Sequence, residues 1–150
     1  MKNVFILLLS ILLFWSCANM PDMEPVTGEV DSRTIDVPGA AQDDLYIIAN
    51  SWMVDRFVSA ESVIEFQDKE AGMIKGKYVT SISDLWNIYN IKTTVTVQVK
   101  EEKARIVLAD PYIIGYGELR NKGAYDKAKV EWSALIDSFA QAIKTQKASW

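Results

Sequence analysis

The chain has 150 residues, 49% of them hydrophobic, with 16 Lys and Arg against 20 Asp and Glu for a net charge of −4. It has no histidine and one cysteine, which excludes an internal disulfide and a multi-thiolate zinc site and removes the commonest general base and metal ligand. An acidic chain also lacks the cations that phosphate neutralisation demands, so nucleic acid is not an expected partner.

Lys2 precedes an apolar run from Val4 to Trp15, broken only by Ser10, and Cys17 follows Ser16. At about 1.5 Å per residue this run covers about 18 Å of a hydrocarbon layer about 30 Å thick, too little to span it. A basic start, a brief apolar stretch and a small residue ahead of the cut are the pattern of a secretory signal. The segment Leu13-Phe14-Trp15-Ser16-Cys17 resembles the lipobox at which bacterial lipoproteins are cut and acylated, with Phe14-Trp15 bulkier than usual. The resemblance implies a signal peptide over 1–16 and lipidation by palmitate-type chains at Cys17. Each buried CH₂ contributes about 0.8 kcal/mol, so several chains would make a stable membrane anchor. Cleavage removes Lys2 and no acid, leaving the mature chain one charge more negative.

Residues 18–31 carry two prolines, a glycine and four acids without periodic apolar positions, so 17–31 reads as a lipidated tether. Residues 32–146 have the length of one domain, and 147–150 form a short tail. Within the domain, Arg33 to Val37 alternates as a first strand and stops at Pro38-Gly39. From Ala41 to Val58, Leu45, Ile48, Ala49, Trp52, Met53 and Phe57 recur at helical spacing, with Asp43 and Asp44 in the first turn. Val63 to Gln67 and Met73 to Thr80 read as a hairpin in which Gly72 takes the left-handed position. Residues 81–90 hold neither period and are expected to form a loop in which Ser83 caps a helical turn. Ile91, Val95, Val97 and Val99 then alternate with Lys92, Thr94, Thr96, Gln98 and Lys100 in the clearest strand. A turn at Glu101-Glu102-Lys103 returns the chain over Ala104 to Ala109, and Asp110-Pro111 ends or bends that strand. Trp132, Leu135, Ile136, Phe139 and Ile143 mark a second helix between Ala124 and Thr145. The order β-α-β-β-β-β-α fits an α+β two-layer sandwich, an antiparallel sheet with both helices on one face.

Leu45 to Phe57 (LYIIANSWMVDRF) and Gln67 to Lys77 (QDKEAGMIKGK) resemble the secreted proteins of Gram-negative gut commensals that carry a domain of unknown function with a fold like the TATA-binding protein. The resemblance covers 32–146 and implies the fold β-α-β4-α. It implies no activity and no DNA binding, since function follows the site and not the scaffold.

With Ile64, Phe66, Ile74, Tyr78 and the valines turned inward, the other sheet face presents Glu65, Gln67, Lys75, Lys77, Lys92, Thr94, Thr96, Gln98, Lys100 and Arg105. Lys75, Lys77, Lys92, Lys100 and Arg105 would make this a cationic cradle for an anionic glycan, headgroup or acidic segment; alternatively, lysine and threonine simply keep an open face soluble. Trp86, Tyr89, Tyr112, Tyr116 and Tyr125 fall near element ends, where they could stack on a sugar or a partner side chain, Trp86 and Tyr116 foremost, or could close the open ends of the core. The acid pairs Asp43-Asp44, Asp68 with Glu70, and Glu101-Glu102 could serve a carboxylate hydrolase of envelope polymers or glycans, though all sit where helix starts and turns favour acids. The favoured expectation is a non-enzymatic binding or accessory lipoprotein of the cell envelope, held at the outer membrane on its periplasmic or surface face. It has no catalytic residues, metal or cofactor, and its partner is an envelope protein, a glycan or an anionic ligand. A self-associating structural subunit is the third possibility.

Overall fold

The computed structural model describes residues 23–58, 62–83 and 87–146. The strands are β1 (Glu29–Asp36), β2 (Val63–Asp68), β3 (Met73–Ser83), β4 (Ile88–Lys100), β5 (Lys103–Ile113) and the two-residue β6 (Gly117–Glu118); the helices are α1 (Gln42–Arg56) and α2 (Lys122–Gln146). They form one antiparallel sheet in the order β1-β5-β4-β3-β2, with β6 extending the β5 edge beyond β1. Both helices cover one face, which gives the α+β sandwich expected from the sequence, with β6 as an addition.

The core lies between the helices and this sheet face. Ile74, Ile91, Val95, Val97, Ala104, Ile106 and Leu108 from the strands meet Leu45, Trp52 and Met53 of α1 and Trp132, Ile136, Phe139 and Ile143 of α2, all buried. Full burial of each large side chain contributes about 1.5–3 kcal/mol, so these contacts dominate the fold. The helices are joined by the Trp52 ring, edge-on to Phe139 at 5.0 Å between centroids, while its indole N–H donates to Ser138 Oγ at 3.1 Å. The Arg33–Asp137 ion pair ties β1 to α2, but both side chains are exposed and such a pair contributes about 1 kcal/mol at most.

Helix ends are satisfied by different means. Asn121 precedes α2 and its Oδ1 accepts the Ala124 N–H at 2.9 Å, a side-chain cap that starts the helix ahead of the expected Ala124. Ala41 offers α1 no side-chain cap, so Glu101 Oε1, from the β4–β5 turn, accepts the Gln42 N–H at 3.3 Å. That turn places Glu102 at φ 61°. Its strained backbone is held by the Glu102 N–H on Ala40 O, the Val37 N–H on Glu102 O, and the Gly39 N–H on Glu102 Oε1.

Four local expectations change. Residues 81–83 and 88–90 are strand, because β3 and β4 pair without a break from Met73↔Gln98 to Ser83↔Ile88. Ser83 thus ends β3, and its carbonyl accepts the Lys127 ammonium. On β2 a bulge between Ile64 and Phe66 reverses the alternation, so Phe66 joins the open face and Gln67 turns to the helix side, donating to Asn50. The returning strand β5 does not stop at Ala109: Asp110-Pro111 bends it, one of the two outcomes expected there, with Asp110 at φ 49° and the strand resuming to Ile113. Finally, β1 begins at Glu29 instead of Arg33.

The chain ahead of β1 is also fixed. Gly28 donates to Asp110 Oδ1 at 2.7 Å and accepts the Asp110 N–H at 2.9 Å. The Val26 N–H meets Leu119 O, and the Met23 N–H meets Arg120 O, both at 3.1 Å. Residues 23–28 thus strap across the start of the β6–α2 connection.

Gly72 has φ +62°, and a Cβ there would stand 2.2 Å from the backbone oxygen of Val99. Gly72→Ala should therefore lower the unfolding free energy in urea by about 3 kcal/mol or more, whereas Gly115→Ala, at φ +84° with open space around it, should cost only about 1–2 kcal/mol. Thr93 is 0% exposed and its Oγ1 has no partner. Thr93→Val should raise stability by about 1 kcal/mol in the same titration; a loss would show that the hydroxyl is satisfied.

Candidate functional site

The β3–β4 register decides which side chains share the open face of the sheet. Three ranks cross it, each holding one lysine: Phe66, Lys75, Thr96, Val107 and Ser32; then Val63, Lys77, Thr94, Ala109 and Glu29; then Val79, Lys92 and Tyr112. Residues opposite each other on antiparallel strands stand about 5 Å apart and diagonal neighbours about 7–8 Å, so Lys75, Lys77 and Lys92 form one contiguous cationic group. Lys77 Nζ donates to Thr94 Oγ1 at 2.6 Å. Thr94 is consequently 6% exposed, and the middle of this face is drier than alternation alone implied.

The remaining candidates divide. Lys100 lies on the same face at the end of β4, four residues beyond Thr96. Arg105 also lies there, but its guanidinium pairs with Glu29 at 3.2 Å, and neighbouring Lys103 pairs with Asp36 at 3.3 Å. Among the described residues, Lys75, Lys77, Lys92 and Lys100 have no carboxylate within ion-pair distance. Tyr116 is 79% exposed in the turn between β5 and β6, at one end of the sheet and away from Lys75 and Lys100. Trp86 and Cys17 fall outside the described residues.

Alternation turns Phe66 inward and puts Tyr112 only near an element end, yet both stand on the open face. Phe66, 47% exposed beside Lys75, and Tyr112, beside Lys92, reach this surface because each follows a strand irregularity. Asp110-Pro111 signalled the second; nothing around Glu65 signalled the first.

The acids gather at the opposite end from Tyr116, where they serve the backbone. Asp68 Oδ1 accepts the Ala71 N–H, Glu101 and Glu102 accept those of Gln42 and Gly39, and Asp43 pairs with Lys69 at 2.9 Å. A pocket of about 60 Å³ lies between the β3–β4 hairpin and the start of α2, lined by Ile82, Ser83, Tyr89, Asn121, Gly123, Ala124 and Lys127. It is far below the about 300 Å³ at which small-molecule sites begin, and none of the paired acids lines it. Among the described residues no cluster of three or more Cys, Asp or Glu could hold a metal, and no helix is long and apolar enough to cross a membrane.

The fold and this open face can be set beside known proteins. Residues 32–113 match the family described as a domain of unknown function (DUF4468) with TBP-like fold. A crystal structure of a DUF4468 family protein from Bacteroides ovatus ATCC 8483 is similar with a TM-score of 0.60 and 19% identity, over 83% of this chain and 91% of that one. A TBP-like protein from Parabacteroides distasonis ATCC 8503 is similar with a TM-score of 0.51 and 16% identity, over 65% of this chain and 61% of that one. Comparison with curated proteins gave no match. The structural likenesses carry the fold, and the match over more than half of its length makes this chain a member of the DUF4468 family with the TBP-like fold.

Proposed function

We propose that the protein is a lipid-anchored module of the cell envelope whose open sheet face captures a partner bearing negative charge. The observation that carries this reading is the grouping of Lys75, Lys77 and Lys92 on one face, without carboxylate partners, in a chain of net negative charge. A broad, shallow surface suits an extended acidic segment of a protein or glycan better than an enclosed small molecule. Interleaved Thr94, Thr96, Phe66 and Tyr112 supply hydroxyl and ring contacts beside the cations. The rival hydrolase would need two carboxyls facing a cleft, whereas Asp68, Glu101 and Glu102 are engaged in capping turns and Asp43 pairs with Lys69.

Membrane attachment through Cys17 supplies the address. Metabolic labelling with a palmitate analogue should mark the wild-type chain and leave Cys17→Ser unmarked; an unlabelled wild type found in the cytosol would remove the envelope reading. Combined replacement of Lys75, Lys77, Lys92 and Lys100 by glutamine should weaken capture of the native partner from envelope extracts about 10- to 100-fold at low salt, an effect that shrinks as salt rises. Arg105→Gln, which removes a cation already paired with Glu29, should change capture far less. Unchanged capture by the fourfold variant would place the binding surface elsewhere.

A further inference from the structure

We infer that the end of the sheet bearing Ile88 and Tyr116 rests on the lipid surface, an inference that depends on the anchor at Cys17 proposed above. The chain is fixed to the domain from Met23 onward, through its N–H on Arg120 O and that of Val26 on Leu119 O. Only residues 18–22 therefore separate Cys17 from the docked strap, a span of about 20 Å when fully extended. The strap starts beside the connection into α2, and the start of α2 adjoins the β3–β4 hairpin through Lys127 and Ser83. The β5–β6 turn belongs to the same end, since the Ile114 N–H bonds Asn90 O. With its 13 residues, β4 runs about 43 Å, twice the tether's reach, so the strap end is the one held close to the bilayer.

The chemistry of the two ends agrees with this orientation. Ile88 is 73% exposed and Tyr116 is 79% exposed, a large aliphatic group and an amphipathic ring of the kind that settles at headgroup depth. The opposite end holds Asp43, Asp44, Asp68, Glu70, Glu101 and Glu102, which anionic headgroups repel. The surface thus has exposed Ile88 and Tyr116, beside the balanced Glu118–Arg120 and Lys122–Asp126 pairs, at the tip where the tether leaves and an acidic tip where it cannot reach. The lysine face stands between them, roughly along the membrane normal and open to a partner alongside.

The test uses the full chain, expressed in a host that processes lipoproteins and reconstituted in vesicles of phosphatidylethanolamine and phosphatidylglycerol containing brominated lipid. Cys17 is the only cysteine, so once acylated it leaves no competing thiol, and Ile88→Cys, Tyr116→Cys, Glu70→Cys and Lys100→Cys each accept one fluorophore. All four positions are exposed, so folding should survive the changes. The expected result is loss of fluorescence at 88 and 116 with none at 70 and 100. Equal quenching at all four positions, or stronger quenching at 70 and 100, in acylated protein that floats with the vesicles would overturn the orientation and leave the anchor standing. A Cys17 that mass spectrometry finds without acyl chains, in protein that does not float, would overturn both.

Discussion

The uninterrupted pairing of β3 with β4, from Met73↔Gln98 to Ser83↔Ile88, is the constraint on which the molecule depends. Side chains alternate with a period of two, so a slip of β3 by one residue against β4 would send Ile74 and Ile82 to water and Lys75 and Lys77 against the helices. Burial of the first set and hydration of the second therefore enforce one register. The same alignment that builds the core also assembles the cationic ranks on the reverse face, and stability and surface chemistry are two readings of one ladder.

Around this ladder, several contacts join segments distant in the sequence. The β4–β5 turn gives Glu101 to the first N–H of α1 and Glu102 to Gly39, while Gln42 reaches the carbonyls of Lys69 and Glu70. The acidic end is thus a set of mutual caps among two hairpins and a helix start. The carboxylates of Asp68, Glu101 and Glu102 are committed to backbone amides and that of Asp43 to Lys69, which accounts for most of this group of acids without invoking chemistry at them. Dispersed caps of this kind make the end cooperative, because losing one turn exposes the amides of another.

Much of this was legible in the sequence where local pattern and tertiary environment agree. The alternation of Lys92 to Lys100, the apolar stripe from Trp132 to Ile143 and the left-handed Gly72 all followed from spacing and residue type. The lost elements are those decided by distant partners. The ends of β3 and β4 were obscured because Thr80 and Thr93 occupy core positions as polar residues, breaking the hydrophobic alternation that would mark them. The start of β1 is polar and owes its extension to β5, more than seventy residues away. The face of Phe66 depends on a bulge that no glycine or proline announces, so reading the open surface from alternation alone misplaced Glu65's neighbours. On the lysines the alternation was sound, since β3 and β4 pair without irregularity where Lys75 and Lys77 sit.

The exchange of hydrogen bonds between Gly28 and Asp110 has a mechanical consequence. Traction on the chain ahead of Met23, directed past that end of the sheet, passes through this clasp and then along the axis of β1. The hydrogen bonds joining β1 to β5 lie across that axis, so they are loaded together in shear and cannot peel open one after another. A domain pulled by the chain ahead of Met23 in this direction resists with a whole strand at once.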